Sequence, residues 1–138
     1  MENSDCIFCK IAAGEVPVTR IYEDEDVLAF LDTGPVSDGH TLLIPRCHFC
    51  RLDECAPVIL EKIAVGLGIV ASAVSRGMEC DGYNILCNNG RAAGQLVEHL
   101  HWHIIPRNDG DGVFAHWPSY KYEEGKMEEI AARIKASF

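Results

Sequence analysis

Three histidines at alternate positions are the residues of this chain best suited to chemistry. His99, His101 and His103 alternate with apolar residues in the segment His-Leu-His-Trp-His-Ile-Ile. Alternate side chains of a β-strand point to the same face, so the pattern predicts a strand with three imidazoles on one side, ended by Pro106. Imidazoles fill a core poorly because each ring nitrogen needs a hydrogen-bond partner. The segment is therefore predicted to bind a metal or to carry out nucleophilic or acid–base catalysis near pH 7.

Two pairs of cysteines have the spacing of metal ligands. Cys6 and Cys9 form one Cys-x-x-Cys pair, and Cys47 and Cys50 form a second pair around His48. Tetrahedral zinc takes four sulfur or nitrogen ligands. The four cysteines could form one such site, although the chain between the two pairs is longer than in compact zinc ribbons. Burial as free thiols is the alternative that needs no metal.

Helices and strands predicted from the apolar pattern must position these residues. A short helical turn is predicted over 6–14, and strands are predicted ahead of the histidine strand at 20–24, 27–32, 40–45 and 83–88. A long helix over 53–76 has apolar residues three or four apart and is expected to end at a Gly77 cap. A second amphipathic helix is predicted over 122–136. Hairpin-length connections favour an α+β fold with a mainly antiparallel sheet.

Length, charge and cysteine usage narrow the class of protein. The 138 residues are expected to form a single domain over 1–138. A formal net charge of −9 disfavours a nucleic-acid binder, which needs a cationic face, but loops and helix N-termini can still hold the phosphate of a nucleotide. The acidic start predicts no signal peptide, and the apolar stretch 59–74 is expected to be too short and too polar for a membrane. Seven cysteines without a secretory signal predict a reduced, cytoplasmic setting.

The histidine segment resembles the signature of the histidine triad (HIT) family of nucleotide hydrolases and transferases. The family pattern is His-φ-His-φ-His-φ-φ with φ apolar, and every φ position is filled by an apolar residue here. The resemblance extends over most of residues 6–107. It includes, in order and at family-like spacings, Phe8, Ile11, Ala29-Phe30-Leu31-Asp32, Gly39-His40-Thr41-Leu42, Ile44-Pro45, His48, Asn88, Gly90 and Gly94-Gln95. The chain is thus identified as similar to the zinc-containing, bacterial-type Hint and Fhit-like members.

This resemblance implies a fold, an assembly and a metal. The fold is a five-stranded antiparallel sheet with one long helix and a C-terminal helix, and members of this size pair as homodimers with a continuous sheet. By resemblance to zinc-bearing members, the metal would be held by Cys6, Cys9, His48 and His99. Four protein ligands leave no open position, so this zinc would be structural.

The resemblance also implies the catalytic and nucleotide-binding residues. His101 would attack phosphorus and form a nucleotidyl-histidine intermediate, His103 would hold a phosphate oxygen, and His40 would orient the nucleophile or the phosphate. The other positions similar to the family's nucleotide contacts are an apolar base pocket, a ribose-binding carboxylate, two amide donors and a glycine that lets backbone approach the phosphate. In that order they are Phe8, Ile11 and Phe30, then Asp32, then Asn88 and Gln95, then Gly94.

The implied activity is cleavage at the α-phosphate of a nucleoside phosphoramidate or related nucleotidyl substrate. The product would be a nucleoside monophosphate, and the substrate is expected to be an adenosine-containing purine nucleotide. Leu96 stands where many members have a Ser or Thr that donates to the leaving group, which leaves the preferred leaving group open. The alternatives are a Fhit-like dinucleoside polyphosphate hydrolase and a nucleotide-binding regulatory protein with little turnover.

Overall fold

Five antiparallel strands form the sheet that carries the histidines. The structure, a computed structural model, describes residues 5–116 and 118–138. Its strands are β1 (Arg20–Glu23), β2 (Val27–Leu31), β3 (Thr41–Pro45), β4 (Gly82–Leu86) and β5 (Trp102–Arg107). They lie in the order β1-β2-β3-β5-β4, and every neighbouring pair is antiparallel. The predicted α+β fold with a five-stranded antiparallel sheet is confirmed.

Two helices cover opposite faces of this sheet. α2 (Pro57–Met78) packs on one face, where its buried residues meet Val27 and Ala29 of β2. α1 (Ile7–Ala12) packs on the other face, where Phe8 meets Leu28 and Phe30. Because both faces of β2 are covered, its sequence is apolar at successive positions and does not alternate with polar residues.

The beginning of α2 lies later in the chain than predicted. The sequence pattern predicted a start near Asp53, whereas the helix begins at Pro57 and residues Leu52–Glu54 form a separate 3₁₀ turn. Proline suits the first helical position because its missing N–H would be unpaired there. It also holds the preceding residue, Ala56, in an extended conformation with ψ 135°.

The end of α2 also differs from the prediction. The helix runs through Gly77 to Met78, and Glu79 closes it in the left-handed conformation with φ 49°. The Met78 side chain packs against Gly39 in the β2–β3 loop, where a Cβ would lie 2.6 Å from Met78 Cγ. This tertiary contact stabilises the two additional helical residues, and it also explains why Gly39 has no side chain.

α2 is longer than the stretch considered in the sequence. Its 22 residues include an 18-residue window with a mean hydropathy of 1.9, so by length and composition alone it could cross a membrane. The expectation that this region is too short and too polar is therefore wrong. Ile63, Val70 and Val74 nonetheless pack against the sheet as residues of a core helix do.

The histidine segment enters β5 later than the alternating pattern predicts. β5 begins at Trp102, so His99 and His101 lie in the irregular segment before it and only His103 lies in the strand. β3 pairs with β5 only from Trp102 to Ile104. The chain before Trp102 instead contacts the loop after β3, since the Leu100 N–H donates to the Phe49 carbonyl at 2.6 Å.

The predicted sidedness of the histidine segment is confirmed even though the strand is shorter. Leu100, Trp102 and Ile104 are buried in the cluster beneath α2. On the other side, the Phe8 ring contacts the rings of both His99 and His101. The histidines therefore share the face of the sheet that α1 covers.

Pro106 does not end β5, contrary to the prediction. It lies inside the strand opposite Tyr83 of β4, and its carbonyl accepts a hydrogen bond from the Ser37 hydroxyl at 2.7 Å. The carbonyl and nitrogen of one strand residue point to the same side, so the Pro106 nitrogen faces the β2–β3 loop and not β4. The missing N–H therefore removes no ladder hydrogen bond.

The C-terminal helix, α3, is shorter than the predicted 122–136 and spans Lys126–Lys135. None of its residues is buried. α3 therefore adds no buried side chain to the packing around the histidines.

Candidate active site

Two cysteines and two histidines converge where α1 meets the loop after β3 and the segment before β5. Cys6 Sγ lies 3.4 Å from His99 Nδ1, and Cys9 Sγ lies 3.3 Å from His48 Nδ1 and 3.6 Å from His99 Nδ1. Tetrahedral zinc with Zn–S of about 2.3 Å and Zn–N of about 2.0–2.1 Å separates sulfur from nitrogen by roughly 3.5 Å. The four side chains could therefore hold a metal ion without rearrangement.

The second ring nitrogen of each histidine in this cluster has its own partner. His99 Nε2–H donates to the Pro45 carbonyl at 2.9 Å, which leaves the Nδ1 lone pair directed at the two sulfurs. Burial is the main reason that the pKa of His99 falls to about 4, so the ring is neutral and able to ligate. His48 Nε2 lies 3.6 Å from Cys50 Sγ. Partners of this kind orient ligating imidazoles at metal sites.

The four-cysteine alternative is not formed among the described residues. Cys50 lies on the Nε2 side of His48, whereas Cys9 lies on its Nδ1 side. Cys47 is exposed. Neither thiol joins the group of potential ligand atoms, which consists of Cys6, Cys9, His48 and His99.

His101 has the geometry of a nitrogen nucleophile. Its Nδ1–H donates to the carbonyl of His99 at 2.6 Å, so the lone pair must reside on Nε2. The ring is 5% exposed and packs edge-to-face with Phe8 at a centroid distance of 5.2 Å. Burial lowers the pKa of His101, which keeps the ring neutral near pH 7.

His40, His103 and Asp32 form a second polar group beside His101. His40 Nε2 lies 2.9 Å from His103 Nδ1 and 3.6 Å from Asp32 Oδ2. The rings of His103 and His101 are 5.1 Å apart. Burial is the largest cause of the lowered pKa of His40 and of His103, the latter falling to about 4. The three residues that the sequence assigned to catalysis, His40, His101 and His103, thus lie together.

The predicted base-pocket residues are buried on the same face of the sheet. Phe8, Ile11 and Phe30 belong to one apolar cluster, and the rings of Phe8 and Phe30 meet edge-to-face at 5.7 Å. Asp32 follows β2 directly, and its Oδ1 accepts a hydrogen bond from the Gly34 N–H at 2.8 Å. Its other oxygen faces His40, so Asp32 both starts a turn and borders the site.

The loop before the histidines is braced by Gln95. Its Oε1 accepts from the Gly90 N–H at 2.7 Å, and its Nε2 donates to the carbonyls of Cys50 and Val97 at 2.8 and 3.1 Å. These bonds occupy both N–H groups of the amide, so the expected donation from Gln95 to the nucleotide is not available in this arrangement. Gly94 has φ +90° and packs against Asn88, where a Cβ would lie 3.5 Å from Nδ2.

Sequence reasoning missed two partners of the site histidines. The Val36 N–H donates to His40 Nδ1 at 3.0 Å, and a backbone donor leaves no signal in residue type. Cys50, the other partner, does leave a signal, because it belongs to the second Cys-x-x-Cys pair. The spacing of that pair indicated an alternative metal ligand, however, and not a hydrogen-bond partner of His48.

Comparisons with known proteins agree with this arrangement. A HIT domain family model matches residues 13–110. The adenosine 5'-monophosphoramidase hnt1 of Schizosaccharomyces pombe is 43% identical over 135 residues, which cover 94% of this chain and 98% of that protein. The adenylylsulfatase HINT3 of Arabidopsis thaliana is 42% identical over 132 residues, which cover 96% of this chain and 66% of that protein.

Solved structures of similar proteins have the same fold. A member of the HIT family from Bacillus subtilis superposes with a TM-score of 0.90 at 40% identity, covering 98% of each chain. A Zn-bound histidine triad family protein from Mycobacterium smegmatis has a TM-score of 0.75 at 35% identity, covering 97% of this chain and 98% of that one. With its sheet, its histidines and these relatives in agreement, the chain belongs to the histidine triad (HIT) family.

Proposed function

We propose that this HIT-family hydrolase acts on adenosine phosphoramidates and related nucleotidyl substrates. It cleaves the bond between the α-phosphorus and the leaving group and releases a nucleoside monophosphate. The observation that carries the proposal is the hydrogen bond from His101 Nδ1 to the His99 carbonyl, because it leaves the Nε2 lone pair free for attack on phosphorus. The names of two relatives, a monophosphoramidase and an adenylylsulfatase, support an adenylyl substrate.

The reaction has two displacements at phosphorus. His101 Nε2 forms a bond to the α-phosphorus while the bond to the leaving group breaks, and the departing amine keeps the electron pair and takes a proton from solvent. The nucleotidyl-imidazole carries positive charge, which the His99 carbonyl stabilises through the Nδ1–H. Water then attacks phosphorus and loses a proton to solvent, the electron pair of the breaking P–N bond returns to Nε2, and His101 is again neutral.

The proposal includes a structural zinc ion at Cys6, Cys9, His48 and His99. The sulfur–nitrogen distances in this cluster support it, as does the Zn-bound relative. With four protein ligands, zinc would stabilise the fold and supply no chemistry to the reaction. A reducing, cytoplasmic setting is also proposed, since oxidation of both Cys6 and Cys9 would remove two of the four ligands.

A homodimer is proposed as the assembled state. β4 is an edge strand, and Tyr83 and Ile85 on it are exposed apolar side chains. Ile85 lies opposite Ile104, a residue of the apolar cluster beneath α2. The Ile85 side chain is therefore on the same face of the sheet as α2, but the helix does not cover it. A second copy that pairs with β4 would extend the sheet and cover this apolar strip.

Intact-protein mass spectrometry during turnover of adenosine 5'-phosphoramidate tests the reaction. We expect a nucleotidyl adduct on the wild-type protein and none on His101→Ala. His103→Ala is the matched control, because it keeps the nucleophile and should still form the adduct, only more slowly. An adduct that persists in His101→Ala, or none in the wild type, would contradict the mechanism.

Three further measurements on the purified protein test the zinc site and distinguish the alternative functions. A zinc content well below one ion per chain would exclude the zinc site. A substrate panel in which dinucleoside polyphosphates are cleaved faster than phosphoramidates would favour the Fhit-like hydrolase. Nucleotide binding that survives in His101→Ala, with negligible wild-type turnover on every substrate, would favour a regulatory protein.

A further inference from the structure

A chain of hydrogen bonds runs from the β2–β3 loop to His103. The Val36 N–H donates to His40 Nδ1 at 3.0 Å, and His40 Nε2 lies 2.9 Å from His103 Nδ1. We propose that His40 is a positioning residue, which uses the Val36 N–H to hold His103 in the tautomer that donates a hydrogen bond to the substrate phosphate. The role in catalysis rests on the proposed function, whereas the tautomer itself does not.

The first hydrogen bond determines where every other hydrogen lies. A nitrogen that accepts from a backbone N–H carries no hydrogen, so the hydrogen of neutral His40 must be on Nε2. His40 Nε2 is therefore the donor to His103 Nδ1. His103 Nδ1 is then an acceptor, and the hydrogen of His103 must be on Nε2.

This tautomer gives His103 the polarity that a phosphate requires. Nδ1 faces His40, so Nε2 is the ring nitrogen left for a ligand, and it presents a hydrogen. In the other tautomer, Nε2 would present a lone pair to the phosphate oxygen and repel it. A neutral donor held ready in this way stabilises charge on phosphate without reorganising during the reaction.

The β2–β3 loop holds the Val36 N–H in place from both sides. The Ser37 hydroxyl donates to the Pro106 carbonyl of β5 at 2.7 Å. The His40 N–H donates to the Ser37 carbonyl at 3.1 Å, and the Asp32 N–H donates to the His40 carbonyl at 2.9 Å. The loop is therefore fixed to the strand that carries His103, and the backbone of His40 is held on both sides.

A metal ion is the competing explanation for the same residues. One ligand atom each of Asp32, His40 and His103 lies within 4.8 Å of the others, which suits a divalent cation. A metal on His40 Nε2 would need that lone pair, so the ring hydrogen would move to Nδ1. The hydrogen on Nδ1 would then point at the hydrogen of the Val36 N–H. The two nitrogens are only 3.0 Å apart, so the two hydrogens would repel each other. The hydrogen-bond chain avoids this conflict.

Two isosteric substitutions of His40 test the inference. In His40→Gln the amide nitrogen takes the position of Nε2 and can still donate to His103. In His40→Asn the amide takes the position of Nδ1, where it can accept from Val36, but it does not reach His103. The two variants thus separate the two ends of the chain while both remain polar and uncharged.

The measurement is the ¹⁵N chemical shift of the His103 ring, which distinguishes the two tautomers, together with steady-state kinetics. We expect the Nε2–H tautomer in the wild type and in His40→Gln, and a mixture of tautomers in His40→Asn. The kcat of His40→Asn should fall by about tenfold to a hundredfold, while His40→Gln should lose much less.

Several results would overturn the inference. They are a wild-type His103 in the Nδ1–H tautomer, equal kcat losses in the two variants, or a second Co²⁺ ion bound stoichiometrically by wild type and by neither variant. If the wild type forms no nucleotidyl adduct but the tautomers behave as expected, the proposed function fails and the hydrogen-bond chain stands. If the tautomer is the same in all three proteins and the adduct forms normally, the hydrogen-bond chain fails and the proposed function stands.

Discussion

Burial keeps the site histidines neutral, and this neutrality suits their roles. Desolvation is the largest cause of the lowered pKa of His40, His99, His101 and His103. A neutral ring has one lone pair and one N–H, so a single fixed hydrogen bond determines which nitrogen can attack, ligate or donate. In His99 and His101 that bond goes to a carbonyl, and in His40 it comes from a backbone N–H.

His103 is expected to stay neutral far below the usual range of histidine. Burial, followed by the neighbouring His101 and His40, lowers its pKa to about 4, and Asp32 opposes them. A lowered pKa favours the neutral form, so the hydrogen bond from His40 Nε2–H to His103 Nδ1 should persist as the pH falls from 7 towards 5. It should be lost near pH 4, when Nδ1 takes up a proton and can no longer accept. An NMR titration of the His103 ring measures this midpoint.

Acid could also release the metal or unfold the chain, so the titration needs two controls. Zinc content and far-UV circular dichroism should be followed over the same pH range, and His103 should be compared only where both are unchanged. A midpoint near the ordinary value of about 6.5 with metal and fold intact would contradict the prediction.

The position of α1 would depend on the proposed metal site as well as on the packing of its buried residues. The helix has only six residues, too few to be stable alone in water. Cys6 at its start and Cys9 within it face His48 from the loop after β3 and His99 before β5. Phe8, between the two cysteines, contacts His101, the proposed nucleophile. The metal would therefore fix α1 and, through it, one wall of the active site.

Cys50 is expected to strengthen this site by holding His48. Its Sγ lies 3.6 Å from His48 Nε2, the position of a partner that orients a ligating imidazole. Cys50→Ala should weaken zinc affinity by about tenfold or more and speed zinc transfer to a chromogenic chelator. Cys47→Ala is the control, since Cys47 is an exposed cysteine of the same pair. Equal transfer rates for the two variants would show that Cys50 does not act on the metal.

The elements differ in how far their sequence predicts them. The apolar side of the histidine segment is read directly from the alternation of Leu100, Trp102 and Ile104, because all three pack beneath α2. The residue at which β5 begins cannot be predicted from this alternation. It depends on where β5 stops pairing with β3, and β3 is distant in the sequence. The last turn of α2 likewise depends on the contact between Met78 and Gly39, residues that no local pattern connects.

The same distinction applies to the site. Residue types and spacing identify Cys6, Cys9, His48 and His99 through the family resemblance, and their convergence in space agrees with it. Gln95 shows the limit: an amide near a phosphate-binding loop suggests a donor, but its hydrogen bonds to backbone groups of three other residues make it a brace. Which partner an amide chooses is decided by backbone groups brought together only by folding.

The two edges of the sheet are not equivalent. β1 and β4 are both edge strands, and each exposes an isoleucine to a similar degree, 44% for Ile21 and 41% for Ile85. Ile21 borders an apolar cleft of about 300 Å³ between β1 and α2. Ile85 instead lies on β4, on the same face of the sheet as α2 but beyond the part that the helix covers. The proposed homodimer uses the β4 edge.

Aspartate at each of these positions tests which edge pairs. A charge at a sheet-to-sheet interface would have to be buried without a partner, which costs several kcal/mol, whereas on an edge that stays in water it costs little. We therefore expect Ile85→Asp to be monomeric and Ile21→Asp to remain dimeric, by light scattering coupled to size exclusion. Circular dichroism of both variants checks that the fold is kept, since both side chains are partly exposed already. A monomeric wild type, or dissociation caused by Ile21→Asp and not by Ile85→Asp, would show that β4 is not the interface. In the latter case the β1 edge and its apolar cleft would be where the second copy binds.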